Sequence, residues 1–261
     1  MDEVVYRRSG HGEPLVLIHG VGHRRQAWDP VVPLLEPHRD VIAVDLPGFG
    51  ESPPQGGEYS IESVVAALSK FFADLGLNRP HVAGNSLGGL LSLALGREGL
   101  VSSVTALSPA GLWTPRGQRY ALGVLMAHRV AAERLPTRTV RRLAATGAGR
   151  TLLAGMIFDK PWQLSPETIV EDAHYFGTAP GFRPTLAEAK GGFRFTGPVP
   201  DIPVTIAWGA RDRVLARPKV ADLRRIAPQA DLLVLPGCGH VPMPDNPALV
   251  ADVLLAGSHV S

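Results

Sequence analysis

A chain of 261 residues, 45% of them hydrophobic, has the length of one large domain and enough apolar mass for a sizeable core. The formal net charge of +2 is too small for a general polycation that binds nucleic acid, and a single cysteine excludes an internal disulfide and fits a reducing compartment. No apolar run approaches the roughly 20 residues of a membrane span; with no signal-like stretch at Met1 to Arg8, a cytoplasmic protein without an integral membrane segment is expected.

Residues 15–18, Leu-Val-Leu-Ile, read as a buried strand, and residues 25–35 as a helix. A second apolar strand follows at 41–44. Residues 61–75 carry apolar side chains at helical spacing behind Ser60, a capping residue. A strand at 81–84 runs into a helix at 87–96, and 101–107 is a strand rich in β-branched residues. Strands alternating with helices in this way predict crossover units and a parallel sheet covered on both faces. The alternation stops at Ser108-Pro109-Ala110-Gly111. Residues 111–197 read as an inserted helical, arginine-rich segment, and residues 1–110 with 198–261 as the core. Alternation resumes with a strand at 203–208, a helix at 219–226, a strand at 231–235 and a helix at 247–255.

Gly84-Asn85-Ser86-Leu87-Gly88 sits at the junction of the third strand and its helix. That order puts Ser86 on a sharp strand-to-helix turn, where a serine is exposed as a nucleophile, and the small residues at Gly84 and Gly88 let strand and helix approach. The motif alone is weak; its context strengthens it. A serine hydroxyl needs a base, and the base needs an orienting group. His240, in the glycine- and proline-rich loop after the last strand, is the candidate base. Asp212, just past the 203–208 strand, is the candidate acid; the loop at 108–111, the other place an acid could come from, has no carboxylate. The chain order Ser86, Asp212, His240 is the one this turn architecture requires. His19-Gly20-Val21-Gly22 follows the first strand, so the amides of Val21 and Leu87 are the candidate oxyanion donors. Asp45, in Asp45-Leu46-Pro47-Gly48-Phe49-Gly50, reads as a structural residue bonding amides of a tight turn. His19 and His23 are spaced like metal ligands but lack a third partner, so neither metal nor cofactor is expected.

These motifs, in this order and over nearly the whole chain, resemble the α/β-hydrolase superfamily. The resemblance implies an eight-stranded, mostly parallel sheet, a helical cap formed by residues 111–197, and a catalytic serine at Ser86. Asn85 is similar to the residue at that place in meta-cleavage-product hydrolases, which break carbon–carbon bonds, but those enzymes carry a tryptophan after the histidine where this chain has Val241. The expectation is therefore a serine hydrolase cleaving the carboxylic ester of a small, partly apolar substrate. Carbon–carbon hydrolysis comes second, and a small-molecule receptor with slow turnover third; fold alone does not choose among them. Candidates for the substrate pocket are Trp113, Met126, Trp162 and Val241, with Leu112, Leu125, Met156, Phe158 and Phe176 also available. Eight arginines and one acid, Glu133, fall between residues 111 and 150. They read as a solvated helical face or as an attractor of anionic substrates through Arg116 or Arg119. Cys238 reads as a buried structural thiol or, less favoured, as a target for thiol reagents.

Overall fold

The computed structural model describes residues 4–191 and 194–258. Among them seven strands form one sheet: β1 (Tyr6–Gly10), β2 (Pro14–Ile18), β3 (Asp40–Val44), β4 (His81–Asn85), β5 (Ser103–Leu107), β6 (Val204–Gly209) and β7 (Asp231–Leu235), in the order β1-β3-β2-β4-β5-β6-β7. All neighbours are parallel except β1, which runs antiparallel to β3 with Tyr6 opposite Val44. β3, β4, β5 and β6 are buried along their whole length, as continuous apolar runs covered on both faces must be.

The sheet has one strand fewer than the resemblance implies. β1 itself escapes a reading by hydropathy because it is a polar edge strand, Tyr-Arg-Arg-Ser-Gly. Backbone pairing and the ion pair of Arg8 with Asp40, at 2.6 Å, hold it in place of apolar burial.

The helix expected over 25–35 is instead a 3₁₀ turn at Arg25–Trp28 and a single α-helical turn, α1, at Val32–Leu35. Pro30 has no amide to continue a helical ladder from the 3₁₀ turn, although Asp29 before it keeps helical angles (φ −52°, ψ −35°), and Pro33 falls in the first turn of α1, where its missing amide breaks no helical bond. α2 (Ile61–Asp74) begins where Ser60 accepts a hydrogen bond from the Ser63 amide at 3.1 Å. α3 (Leu87–Arg97) is buried from Leu87 to Gly96 and packs on β4 and β5. Between β5 and β6 lie five helices: α4 (Pro115–Arg134), α5 (Thr137–Ala144), α6 (Gly147–Ala154), α7 (Pro166–Thr178) and α8 (Phe182–Lys190). α7 packs against α4, α5 and α6. The chain then adds α9 (Val220–Ile226) and α10 (Pro247–Gly257).

Strand order reverses between β2 and β4. β1 and β3 lie to one side of β2, while β4 to β7 continue on the other. A sheet of this kind opens a crevice at the carboxyl ends of the two strands flanking the reversal. The loop His19–Gly22 leaves β2 there, and Ser86 follows β4.

Candidate active site

Ser86 has φ 55° and ψ −111°, a left-handed conformation that a side chain rarely adopts. Its backbone is held on both sides. The Ser86 amide donates to the Leu107 carbonyl at 2.9 Å, and its carbonyl accepts from Ala110 at 2.9 Å and Leu90 at 3.1 Å. Two glycines make the turn possible. A Cβ on Gly84 would collide with the backbone of Gly88, and one on Gly88 with the carbonyl of Ile18. α3 therefore lies directly on the ends of β4 and β2.

The loop after β2 is pressed against the same turn. A Cβ on Gly20 would lie 3.2 Å from the Ser86 Cβ. His19 fixes this loop: its Nδ1 donates to the Gly20 carbonyl at 2.7 Å, and its Nε2 accepts the Leu46 amide at 3.0 Å. Both ring nitrogens are thus engaged, which sets a neutral tautomer, and burial keeps the ring from charging despite nearby Asp45. Neither the Val21 nor the Leu87 amide donates to a protein acceptor among the described residues. Both remain free donors beside Ser86, Leu87 as the first residue of its helix.

Asp212 and His240 meet from two loops at the same sheet edge. Asp212 Oδ2 accepts from His240 Nδ1 at 2.9 Å, while Oδ1 accepts the amides of Val214 and Leu215, each at 2.8 Å. Burial works to raise this carboxyl. The charge and hydrogen bond of His240, with the two amides, outweigh burial and hold it below the usual aspartate range. One pocket is lined by Ser86, His240, Val21, Gly20, Asn85, His23, Leu125, Ile157, Phe176 and Val241. Ser86 and His240 share this pocket without a hydrogen bond between them; such contacts are often long until substrate is in place.

A family model described as the alpha/beta hydrolase family matches residues 15–253. The chain belongs to the alpha/beta hydrolase family. It is 28% identical, over 94% of its own length, to the dihydrolipoyllysine-residue acetyltransferase component of the acetoin cleaving system of Pseudomonas putida, of whose length it spans 63%. It is 26% identical to lipase 1 of Psychrobacter immobilis, over 93% of this chain and 76% of the lipase. Its fold is similar to that of a meta-cleavage product hydrolase from Pseudomonas fluorescens IP01, with a TM-score of 0.76 at 21% identity, covering 97% of this chain and 93% of the other.

This alpha/beta hydrolase positions its histidine with residues that a motif reading does not single out. Asn85 donates from Nδ2 to the His240 carbonyl at 2.9 Å and to the Leu107 carbonyl at 3.2 Å. Asp245 accepts the amides of Gly239 at 2.8 Å, Asp159 at 2.9 Å and Lys160 at 2.7 Å. The His240 amide itself donates to the Ile157 carbonyl at 2.9 Å. Asp159, buried, pairs with Arg211 at 3.0 Å and Arg213 at 3.4 Å, the two residues flanking Asp212. Residues 157–160 thus tie the histidine loop to the aspartate loop. The only sequence signal for Asp245 is an acid among Pro242, Pro244 and Pro247.

Of the four pocket candidates, Val241 lines the pocket around Ser86. Trp113, Met126 and Trp162 are not among its lining residues. On α4 it is Leu125 that faces Ser86; the helical turn of about 100° per residue carries Met126 aside. Trp162 is 48% exposed, on a 3₁₀ turn packed by Gly147. The arginines divide as well. Arg129 is buried and binds Glu133 and the carbonyls of Phe176 and Ala179, and Arg150 binds those of Ala144 and Trp162. Arg116 and Arg119 are exposed on α4, outside this pocket. Asp45 accepts the amides of Arg25 and Glu51 and pairs with the Arg25 guanidinium. Cys238 is fully buried, and burial pushes its thiol up to about 11, which removes the thiolate that reagents attack.

Proposed function

We propose that this protein hydrolyses a carboxylic ester of a small, partly apolar substrate through an acyl-enzyme on Ser86. The observation that carries the reading is the Asp212–His240 hydrogen bond, 2.9 Å long, whose histidine shares one pocket with Val21 and the strained Ser86 turn, while the Val21 and Leu87 amides meet no protein acceptor among the described residues. His240 takes the Ser86 proton as Oγ attacks the ester carbonyl. Asp212, kept ionised by its amides, holds Nδ1–H and stabilises the imidazolium. The amides of Val21 and Leu87 receive the charge that develops on the carbonyl oxygen. His240 then protonates the departing alcohol. Water, activated by the same imidazole, frees the acid.

In this reading α4 to α8 act as a cap that shapes the substrate pocket. Val241 beside His240, where meta-cleavage-product hydrolases carry a tryptophan, supports an ester over a carbon–carbon bond; the relatives include both a lipase and carbon–carbon hydrolases. The test is hydrolysis of p-nitrophenyl esters of graded acyl length, with Ser86→Ala in parallel. Turnover that disappears with Ser86 upholds the assignment. Folded protein without turnover rejects it and moves the reading to carbon–carbon hydrolysis or to a receptor, with a vinylogous diketone acid as the next compound.

A further inference from the structure

A helix that packs against its own neighbours should turn apolar residues inward at positions i, i+3, i+4 and i+7. On α7 that face reads Ile169, Asp172, Ala173, Phe176. An aspartate at an inward position breaks the pattern, and such breaks concentrate at functional sites. α4 faces it with His128, Ala131 and Ala132, Leu135 follows just past its end, and the space between is a half-open chamber with a cavity volume of about 100 Å³.

The chamber shares His23, Ile157 and Phe176 with the pocket around Ser86. Phe176 stands between the two. Its ring lies so close to Gly22 that a Cβ there would collide with it, and it packs on Phe182 with centroids 5.0 Å apart. A substrate bound at Ser86 and passing this ring enters a space whose walls are apolar but for Asp172, His23 and His128.

Among the described residues no hydrogen bond or ion pair reaches the Asp172 carboxyl. Nearby Arg24 binds Glu171 at 2.6 Å and lies over the Tyr175 ring at 4.2 Å. His128 Nδ1 donates to the Val124 carbonyl at 3.0 Å. His23 is held neutral, burial first and then neighbouring positive groups pushing its pKa down to about 3. Asp172 is partly accessible, and the space it lines is this chamber and the cavity on the far side of His23. Burial raises its carboxyl to about 7, against the pull of Arg24 and with the push of Glu171.

We propose that this chamber is a subsite for the apolar part of the substrate, and that Asp172 reads a hydrogen-bond donor, a hydroxyl or an ammonium, carried on that part. The proposal rests on the ester-hydrolase reading for its connection to Ser86, but the subsite itself can be tested without turnover.

The test is calorimetric binding at pH 8 of three six-carbon probes, hexylammonium, hexan-1-ol and hexanoate, to the wild-type protein and to Asp172→Asn, Asp172→Leu and Ala173→Phe. The wild type is expected to bind hexylammonium roughly tenfold or more tighter than hexanoate, with the alcohol between them, as a hydrogen bond to a charged group provides. Asp172→Leu should bring all three within about threefold, and Asp172→Asn should retain the alcohol while losing the ammonium preference. Ala173→Phe, which fills the chamber, should abolish binding of all three. Equal binding of hexanoate by the wild type, or an unchanged order in Asp172→Leu, overturns the proposal. Persistent binding in folded Ala173→Phe overturns its location. Donor-selective binding in a protein that cleaves no ester would sink the hydrolase reading alone; ester turnover without donor selectivity would sink the subsite alone.

Discussion

At Ser86 a left-handed backbone is kept by its neighbours rather than by preference: three hydrogen bonds fix it and two missing side chains make room for it. Gly84→Ala would set a methyl into the backbone of Gly88, where nothing flexible can yield, so a loss of about 3 kcal/mol is expected, read as a fall in denaturation midpoint. Ser86→Ala fits the same backbone. It should leave the fold intact while kcat drops roughly 10³–10⁶-fold. Asp212→Asn has a specific failure. Its Oδ1 would keep the amides of Val214 and Leu215, leaving an NH₂ against His240 Nδ1. The imidazole must then present its proton toward Ser86, the wrong tautomer for a base. Activity should fall less than with Ser86→Ala, at an unchanged melting temperature. A melting temperature that falls in step with activity would show the carboxylate to be structural only.

The loops that carry His240 and Asp212 are short of secondary structure, and their order comes from Asp245, ahead of α10, and from Asp159 in the segment that follows α6. Asp245→Ala strands three inward amides, each worth about 1–3 kcal/mol when unsatisfied. Even at the lower end, about 1 kcal/mol per amide, thermal unfolding should shift down by roughly 6–12 °C. In the fraction that stays folded at 20 °C, kcat should fall while KM for a short ester holds, because the histidine loop rather than the pocket has loosened. A normal kcat per folded molecule would dissociate Asp245 from the histidine. The same segment explains why the helices between β5 and β6 bear on the catalytic pocket at all: His240 and Val241 both donate to the Ile157 carbonyl.

Across the whole molecule, two half-buried groups give stability opposite dependences on pH. His23 titrates near 3 in the fold against an ordinary 6.5, so the unfolded chain binds the extra proton, and stability is lost as pH falls below about 6.5. Asp172 titrates near 7 against an ordinary 3.8, so the folded chain holds the extra proton, and stability is lost as pH rises from about 4 to 7. Between pH 4 and 6.5 the two slopes oppose each other, and the wild-type curve conceals both. Single variants separate them. Asp172→Asn should gain melting temperature relative to the wild type as pH rises from 5 to 8, and His23→Gln should gain it as pH falls from 7 to 5. Flat differences across either range would remove the corresponding group from the account. Arg24, Glu171 and His128 stay in place in both variants and cancel from the comparison.

The sequence by itself determined the sheet, the strand-to-helix turn and the order of serine, aspartate and histidine. Parallel strands buried on both faces are largely apolar, and a turn with φ of 55° tolerates few sequences, so both leave local marks. It did not announce β1, an edge strand with polar side chains, or the proline break at residues 29–33, or which face of α4 turns Leu125 rather than Met126 to the site. The tertiary structure decided those, together with the roles of Asn85, Asp159 and Asp245 and the isolation of Asp172. The roles of Asn85, Asp159 and Asp245 each depend on a partner 22 to 155 residues away in the chain, and Asp172 stands alone because no such partner arrives. No local propensity records which distant carbonyl, amide or guanidinium a buried polar group will meet.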